Sequence, residues 1–186
     1  MKKYYPIILG LVGLAVFAYG AYIPIKAQLA QYLIHQAWQQ AKGKGRVVKP
    51  WSWMDSHPVI RMRSEKHQKD FIVLNGDTGN VLAFAPGFNP KSYTPGNGTT
   101  LISAHRDTHF EFLKNVALGD EFELSTINDE RKYRYRVDEI KVINTDDQKI
   151  DLYSQQSQLK LVTCYPFVTS GVDTPLRYVI SAVEIQ

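Results

Sequence analysis

The stretch Lys160-Leu161-Val162-Thr163-Cys164-Tyr165-Pro166 holds the only cysteine in a chain of 186 residues. Leu, Val and Thr running into Tyr-Pro read as a short strand that stops at a turn. A thiol at a strand end is held by the sheet yet faces a loop that a substrate can reach. The competing reading is a small buried hydrophobe, the ordinary state of a lone cysteine. The residues around the stretch decide between the two.

Upstream, short apolar runs alternate with turn residues. Val59–Arg63, Phe71–Leu74, Val81–Ala85, Thr99–Ala104, Glu121–Leu124 and Tyr133–Ile143 read as strands, and Arg177–Ile185 as a last one. Asn75-Gly76-Asp77-Thr78-Gly79-Asn80 is a rich turn signal, and Phe88 to Gly98 reads as a loop. Phe110, Phe112, Leu113 and Val116 suggest a short helical turn, and Asp146 to Gln158 a polar loop. Many short strands with few helical patterns indicate an all-β domain, closed or nearly closed.

The N-terminus differs. Lys2 and Lys3 precede an uncharged run from Tyr4 to Ile25, which as a helix rises roughly 33 Å and spans a bilayer core. A cleaved signal peptide is the alternative, but its apolar region ordinarily covers only about 7–15 residues. The longer run favours a retained, single-pass anchor over residues 1–26. Tyr4, Tyr5, Tyr19 and Tyr22 suit its two interfaces. Lys2 and Lys3 against Lys26 and the later basic residues cast a weak vote for an exported domain. Leu29, Tyr32, Leu33 and Ala37 then mark an amphipathic helix that Gly43-Lys44-Gly45 ends, giving a juxtamembrane segment over 27–50. Residues 51–186 form the folded domain, where Trp51 and Trp53 are expected to cover core.

Composition excludes more than it assigns. One cysteine forbids an internal disulfide and offers no zinc pattern. No acidic cluster proposes calcium, so neither metal nor cofactor is expected. A net charge of +4 is mild, and the basic residues are scattered rather than striped, which argues against a nucleic-acid partner. Nucleophilic catalysis by cysteine needs a thiolate, a proton carrier and a group to bear oxyanion charge. Of five histidines, His57 and His67 suit solvated positions, and His35 lies in the juxtamembrane helix. His105 ends an apolar strand, as Cys164 does. Arg177 opens the last strand after a Thr-Pro-Leu turn and keeps its charge at any relevant pH.

Thr100-Leu101-Ile102-Ser103-Ala104-His105-Arg106-Asp107, then Leu161-Val162-Thr163-Cys164, then Arg177-Tyr178-Val179-Ile180 occur in the order and spacing of sortases. Val81 to Gly87, His105 through Leu113 and Cys164 to Phe167 resemble most closely the class found in marine and other Gram-negative bacteria. Lys160 departs from the threonine that often opens the cysteine motif, and Ala104 from a frequent glycine.

The resemblance implies a closed β-barrel of about eight strands with short helices, behind an N-terminal transmembrane helix. It implies a cysteine transpeptidase on the periplasmic side of the inner membrane. Cys164 would attack the threonine carbonyl of a C-terminal sorting signal similar to LPxTG, and a thioester would pass to an amine acceptor. His105 would serve as acid and then base, and Arg177 as oxyanion donor. Thr163 and Tyr165, with main-chain N–H groups near Tyr165, are weaker candidates for substrate or oxyanion contacts. A hydrolytic Cys-His protease and a non-catalytic, membrane-tethered binding module are the other functions these residues allow.

Overall fold

The computed structural model describes residues 4–44, 46–129, 131–154, 156–168 and 174–185. A helix, α1 (Tyr5–Ala41), leads into β1 (Pro58–Ser64), β2 (Lys69–Asn75), a helical turn α2 (Gly79–Leu82) and β3 (Gly87–Phe88). β4 (Thr99–Ser103), a 3₁₀ turn (Glu111–Asn115), β5 (Glu121–Thr126), β6 (Lys132–Asn144), β7 (Gln158–Cys164) and β8 (Leu176–Ile185) complete the chain. The strands close in the order β1-β2-β3-β4-β7-β8-β6-β5. The pairs β2–β3 and β4–β7 are parallel and the others antiparallel. Eight strands give an interior just wide enough for side chains to fill.

Strand alternation sorts the residues. Phe71 and Val73 of β2 point into the barrel with Ile102, Leu161 and Ile180, while Ile72 and Leu74 face out beneath α1. Phe110, Phe112 and Leu113 add to the inner core. A third cluster lies on the outer face of β4, β7 and β8, where Leu101, Val162 and Val179 join Ile143 under Ile150 and Leu152 of the β6–β7 segment. Asp138 is an extra residue in β6, since Val137 pairs with Ala182 and Glu139 with the adjacent Ser181. The bulge flips the parity, so Tyr135 faces inward and Ile143 outward.

α1 runs unbroken for 37 residues, about 55 Å, through Pro24. Its N-terminal part is long and apolar enough to cross a membrane, and none of that stretch is buried on the barrel. From Ala30 onward it is anchored by Ile34, Ala37, Trp38 and Ala41, and Ile34 packs with Met54, Leu74, Val81 and Ala85. The apolar face therefore differs from the expected one: Leu29 and Tyr32 are exposed. Three alanines on the buried face let the helix axis approach the sheet closely, which larger side chains would prevent. Gly43, at φ 70°, ends the helix and its N–H bonds the Ile127 carbonyl.

Val81–Ala85, expected as a strand, is instead the helical turn α2 and its extension. The N–H groups of Val81 and Leu82 bond Thr78 and that of Ala83 bonds Gly79. Val81 and Ala85, four apart, are both buried against Ile34, a spacing that a strand would put on one face only together with Ala83. The strand starts later, at Gly87, within the stretch read as its stop. A Cβ on Gly87 would lie 2.2 Å from the Gly76 carbonyl, so only glycine allows β3 to lie there.

Two aromatic expectations change as well. Trp51 packs edge-on against Phe84, but Trp53 is 80% exposed. His67 is not solvated: its Nε2 lies 2.7 Å from the buried Asp120 carboxylate, and its ring packs near Phe112. Asp120 also accepts from Lys66 and from the Ala117 N–H, tying the β1–β2 turn to the start of β5.

Candidate active site

Three neighbouring strands deliver the candidate residues to one row. β4 and β7 are parallel with Ser103 beside Val162, and the Ala104 N–H bonds the Val162 carbonyl at 3.2 Å. Extending that register by two residues sets His105 beside Cys164. On the other side β8 runs antiparallel, with Cys164 directly opposite Arg177. Side chains of alternate residues share a face, so Cys164 projects with Val162 and Lys160 to the outside of the barrel. The row His105–Cys164–Arg177 thus caps an apolar floor of Leu101, Val162 and Val179. Cys164 is half-buried and His105 exposed, so the thiol and imidazole lie at the surface end of the strands.

The support beneath the row is buried and polar. Thr163 points the opposite way from Cys164, and its hydroxyl donates to the Ala104 carbonyl at 2.7 Å. That bond fixes the residue before His105 to the residue before Cys164. Thr163 is 2% exposed, so the expected substrate contact gives way to a positioning one. The Phe110 N–H closes the histidine turn on the His105 carbonyl at 3.0 Å.

Tyr165 also differs from expectation. Its N–H bonds the Leu176 carbonyl at 3.0 Å and is spent within the sheet, so it has no proton to offer an oxyanion. Pro166, after a cis Tyr165–Pro166 bond, has none either. The Tyr165 ring stacks on Tyr178 at 6.1 Å, and Phe167 meets both rings edge-on. Arg177 therefore carries the donor capacity next to the thiol. Its Nη1 donates to the carbonyls of Thr174 and Leu176, which holds the guanidinium in place. Nε and Nη2 have no protein partner among the described residues and suit the forked recognition of an oxygen.

His109 belongs to this site although its sequence context assigned it no role. It is hydrogen-bonded to the Phe84 carbonyl and packs edge-on against Phe71. Burial, and then the charge of nearby His105, hold its pKa below the ordinary value, and the Phe84 bond only partly opposes them. The spacing His105-x-x-x-His109 on a tight turn was the available clue. The same Phe84 carbonyl accepts Gln31 Nε2 of α1 at 2.6 Å, linking the long helix to the histidine turn. Among the described residues no group of three or more metal-binding side chains is assembled. A cleft of about 720 Å³ lies along Arg131, Arg134, Val183 and Glu184, away from the thiol.

Comparison with known proteins agrees with this layout. The model of the Sortase domain matches residues 62–185, well over half of the chain. Sortase D of Bacillus subtilis is 32% identical over 117 residues, covering 62% of this chain, and the chain spans 58% of that protein's length. Sortase C1 of Streptococcus agalactiae superposes with a TM-score of 0.58 at 26% identity, over 68% of this chain and 66% of that one. A Sortase D5 transpeptidase of Clostridium perfringens has the same fold, with a TM-score of 0.65 at 19% identity, over 86% and 99% of the two chains. By its matched domain, its closed eight-stranded barrel and the strands that bring its single cysteine, a histidine and an arginine into one row, the chain belongs to the sortase family.

Proposed function

We propose that the protein is a membrane-anchored cysteine transpeptidase acting on a C-terminal sorting signal similar to LPxTG. The observation that carries this reading is the row itself, with His105 and Arg177 flanking Cys164 on adjacent strands. The reactive pair is a Cys164 thiolate with a His105 imidazolium. The thiolate attacks the carbonyl carbon of the signal's threonine, and the negative charge moves to the carbonyl oxygen, where Arg177 donates to it. As the C–N bond breaks, His105 gives its proton to the leaving amine, and a Cys164 thioester remains. An acceptor amine then gives a proton to neutral His105 as its nitrogen attacks the thioester. Collapse forms the new amide and returns the thiolate and imidazolium. The floor of Leu101, Val162 and Val179, covered by Ile150 and Leu152 in this structure, takes the apolar residue of the signal as those two side chains give way.

α1 is the anchor in this reading, with the barrel on the periplasmic face of the inner membrane. The sorted protein and the amine acceptor are the partners. The narrower likeness to sortases of marine and Gram-negative bacteria rests on the motifs alone.

Incubation with a peptide bearing an LPxTG-like signal tests the reading. A Cys164 adduct with the mass of the N-terminal fragment, discharged faster by an added amine than by water, is expected. Discharge by water alone at any amine concentration supports a hydrolase, and no adduct with any such peptide overturns the assignment.

A further inference from the structure

Lys160 stands where the resembled cysteine motif opens with threonine, and the side chain that replaces it reaches outside the sheet. It lies on the same face as Cys164, four residues or about 13 Å along β7, in register with Leu101 on β4 and Ser181 on β8. Its Nζ donates to the main-chain carbonyl of Asp151 at 2.7 Å. That carbonyl sits between Ile150 and Leu152, the two residues that lean on the apolar floor. Among the described residues this is the only hydrogen bond from the sheet to residues 149–154, whose other bonds are local turns such as Tyr153 N–H to Asp151 Oδ1. A threonine hydroxyl, one bond beyond Cβ, would fall several Å short of the same carbonyl.

The hydrogen bond, more than the surrounding charge, fixes the lysine head. Lys160 is half-buried, and burial holds its pKa below the ordinary lysine value, an effect that Lys141 adds to and that Asp151, Glu139 and Asp138 only partly offset. Glu139 is itself held by Lys141 at 3.0 Å and by the Ser181 hydroxyl. The lysine stem crosses the end of the apolar floor while its head reaches the loop, the usual division of labour in an amphipathic side chain.

We infer that Lys160 is a specificity-determining positioning residue: by tethering the β6–β7 segment at Asp151 it holds the Ile150–Leu152 wall against the Leu101–Val162–Val179 floor and so sets how far the wall lifts to admit a side chain. The inference rests on the transpeptidase reading for its substrate, an extended peptide with an apolar side chain. Three residues of such a peptide span about 10 Å, which carries the apolar side chain from the scissile carbonyl toward the Lys160 end of the floor. Lys160 touches no reacting atom.

Three variants of the full chain separate the possibilities, namely Lys160→Met, Lys160→Thr and Lys160→Arg. Hydrogen exchange of backbone amides in 149–154 reads the tether without any substrate. Exchange of the Tyr153 amide, which the Asp151 side chain holds, is expected to speed up several-fold in K160M and K160T and to stay near wild type in K160R, whose longer head still reaches the carbonyl. With peptide, K160M and K160T should raise KM about 5- to 20-fold, lower the preference for Leu over Ala in the signal, and leave kcat within about threefold. Iodoacetamide should alkylate Cys164 at an unchanged rate in all three. Unchanged exchange of 149–154 in K160M overturns the inference, as does an unchanged Leu-to-Ala preference alongside faster exchange. If wild-type protein turns over no peptide, the transpeptidase reading fails by itself. Peptide affinity for the Cys164→Ala variant, with and without K160M, then decides the inference: equal affinities overturn it, and weaker affinity with K160M supports it.

Discussion

In the proposed transpeptidase each residue of the row has a separable job, and substitution should show it. Cys164→Ala is expected to abolish the peptide adduct outright while leaving the barrel folded, read by intact mass and circular dichroism. His105→Ala removes the proton carrier, which is ordinarily worth about 10²–10⁴ in rate, and kcat/KM for the peptide should fall within that range. Arg177→Ala should cost about 10²–10³, mostly in kcat, as loss of a preorganised oxyanion donor does. Thr163 is different, because its hydroxyl satisfies a buried carbonyl. Thr163→Val should destabilise by about 1–3 kcal/mol in urea unfolding, since the Ala104 oxygen is left unpaired. The three members of the row were legible in the sequence because each stands at a strand mouth, where chemistry-bearing residues interrupt an apolar pattern. The Tyr165 N–H was not legible as a sheet donor. Its partner, Leu176, lies across a turn whose return path no local pattern encodes.

At the scale of elements, pattern reading succeeds where one face meets one environment. β5 and the first half of β6 alternate as the pleat demands and were found, while β4, β7 and β8, covered on both faces, showed as continuous apolar runs. Val81–Ala85 failed because the short run packs against α1, a tertiary contact that turned an apolar pentapeptide into a helical turn. The buried face of α1 was missed for a related reason: alanines carry little hydrophobic signal, yet they are what lets a helix lie against a sheet. The Asp120 cluster shows a pH consequence at this scale. Burial alone would raise the Asp120 carboxyl, but bonds from Lys66, His67 and the Ala117 N–H outweigh it and hold the carboxyl below the usual range. The unfolded chain therefore takes up this proton first as pH falls from about 4. The stabilisation is present above that value and is lost as pH drops through the native one. Urea midpoints measured from pH 7 to pH 3 should fall steeply below about pH 4 in wild type. Asp120→Asn should start lower and show a flatter acid limb.

For the whole molecule, the contact of Gln31 with Phe84 matters because of where it lies. With α1 spanning a bilayer as proposed, Gln31 stands six residues, about 9 Å of helix, beyond Ile25 at the end of the apolar run. The carbonyl it bonds is also held by His109, so in that reading the histidine corner would lie on the membrane-facing side of the barrel. Gln31→Ala should slow turnover several-fold without altering the rate of Cys164 alkylation, checked by peptide kinetics on the full chain in vesicles.

The unbroken α1 adds a constraint of another kind. A tethered enzyme on a flexible stalk would sample all azimuths and many heights, whereas a helix that enters the barrel without a hinge removes most of that freedom. With α1 in a bilayer as proposed, the thiol would patrol a thin slab at fixed altitude, and encounter with a substrate moored in the same lipid sheet would become a two-dimensional search. Local concentration in such a slab is set by lateral density and not by the volume of the compartment. Inserting Gly-Gly-Ser after Lys26 should therefore lower turnover of a bilayer-moored substrate several-fold and leave that of a free peptide unchanged, measured side by side in the same vesicles. The geometry of the anchor, more than the strength of any contact, would decide which bonds in the membrane's neighbours fall within reach.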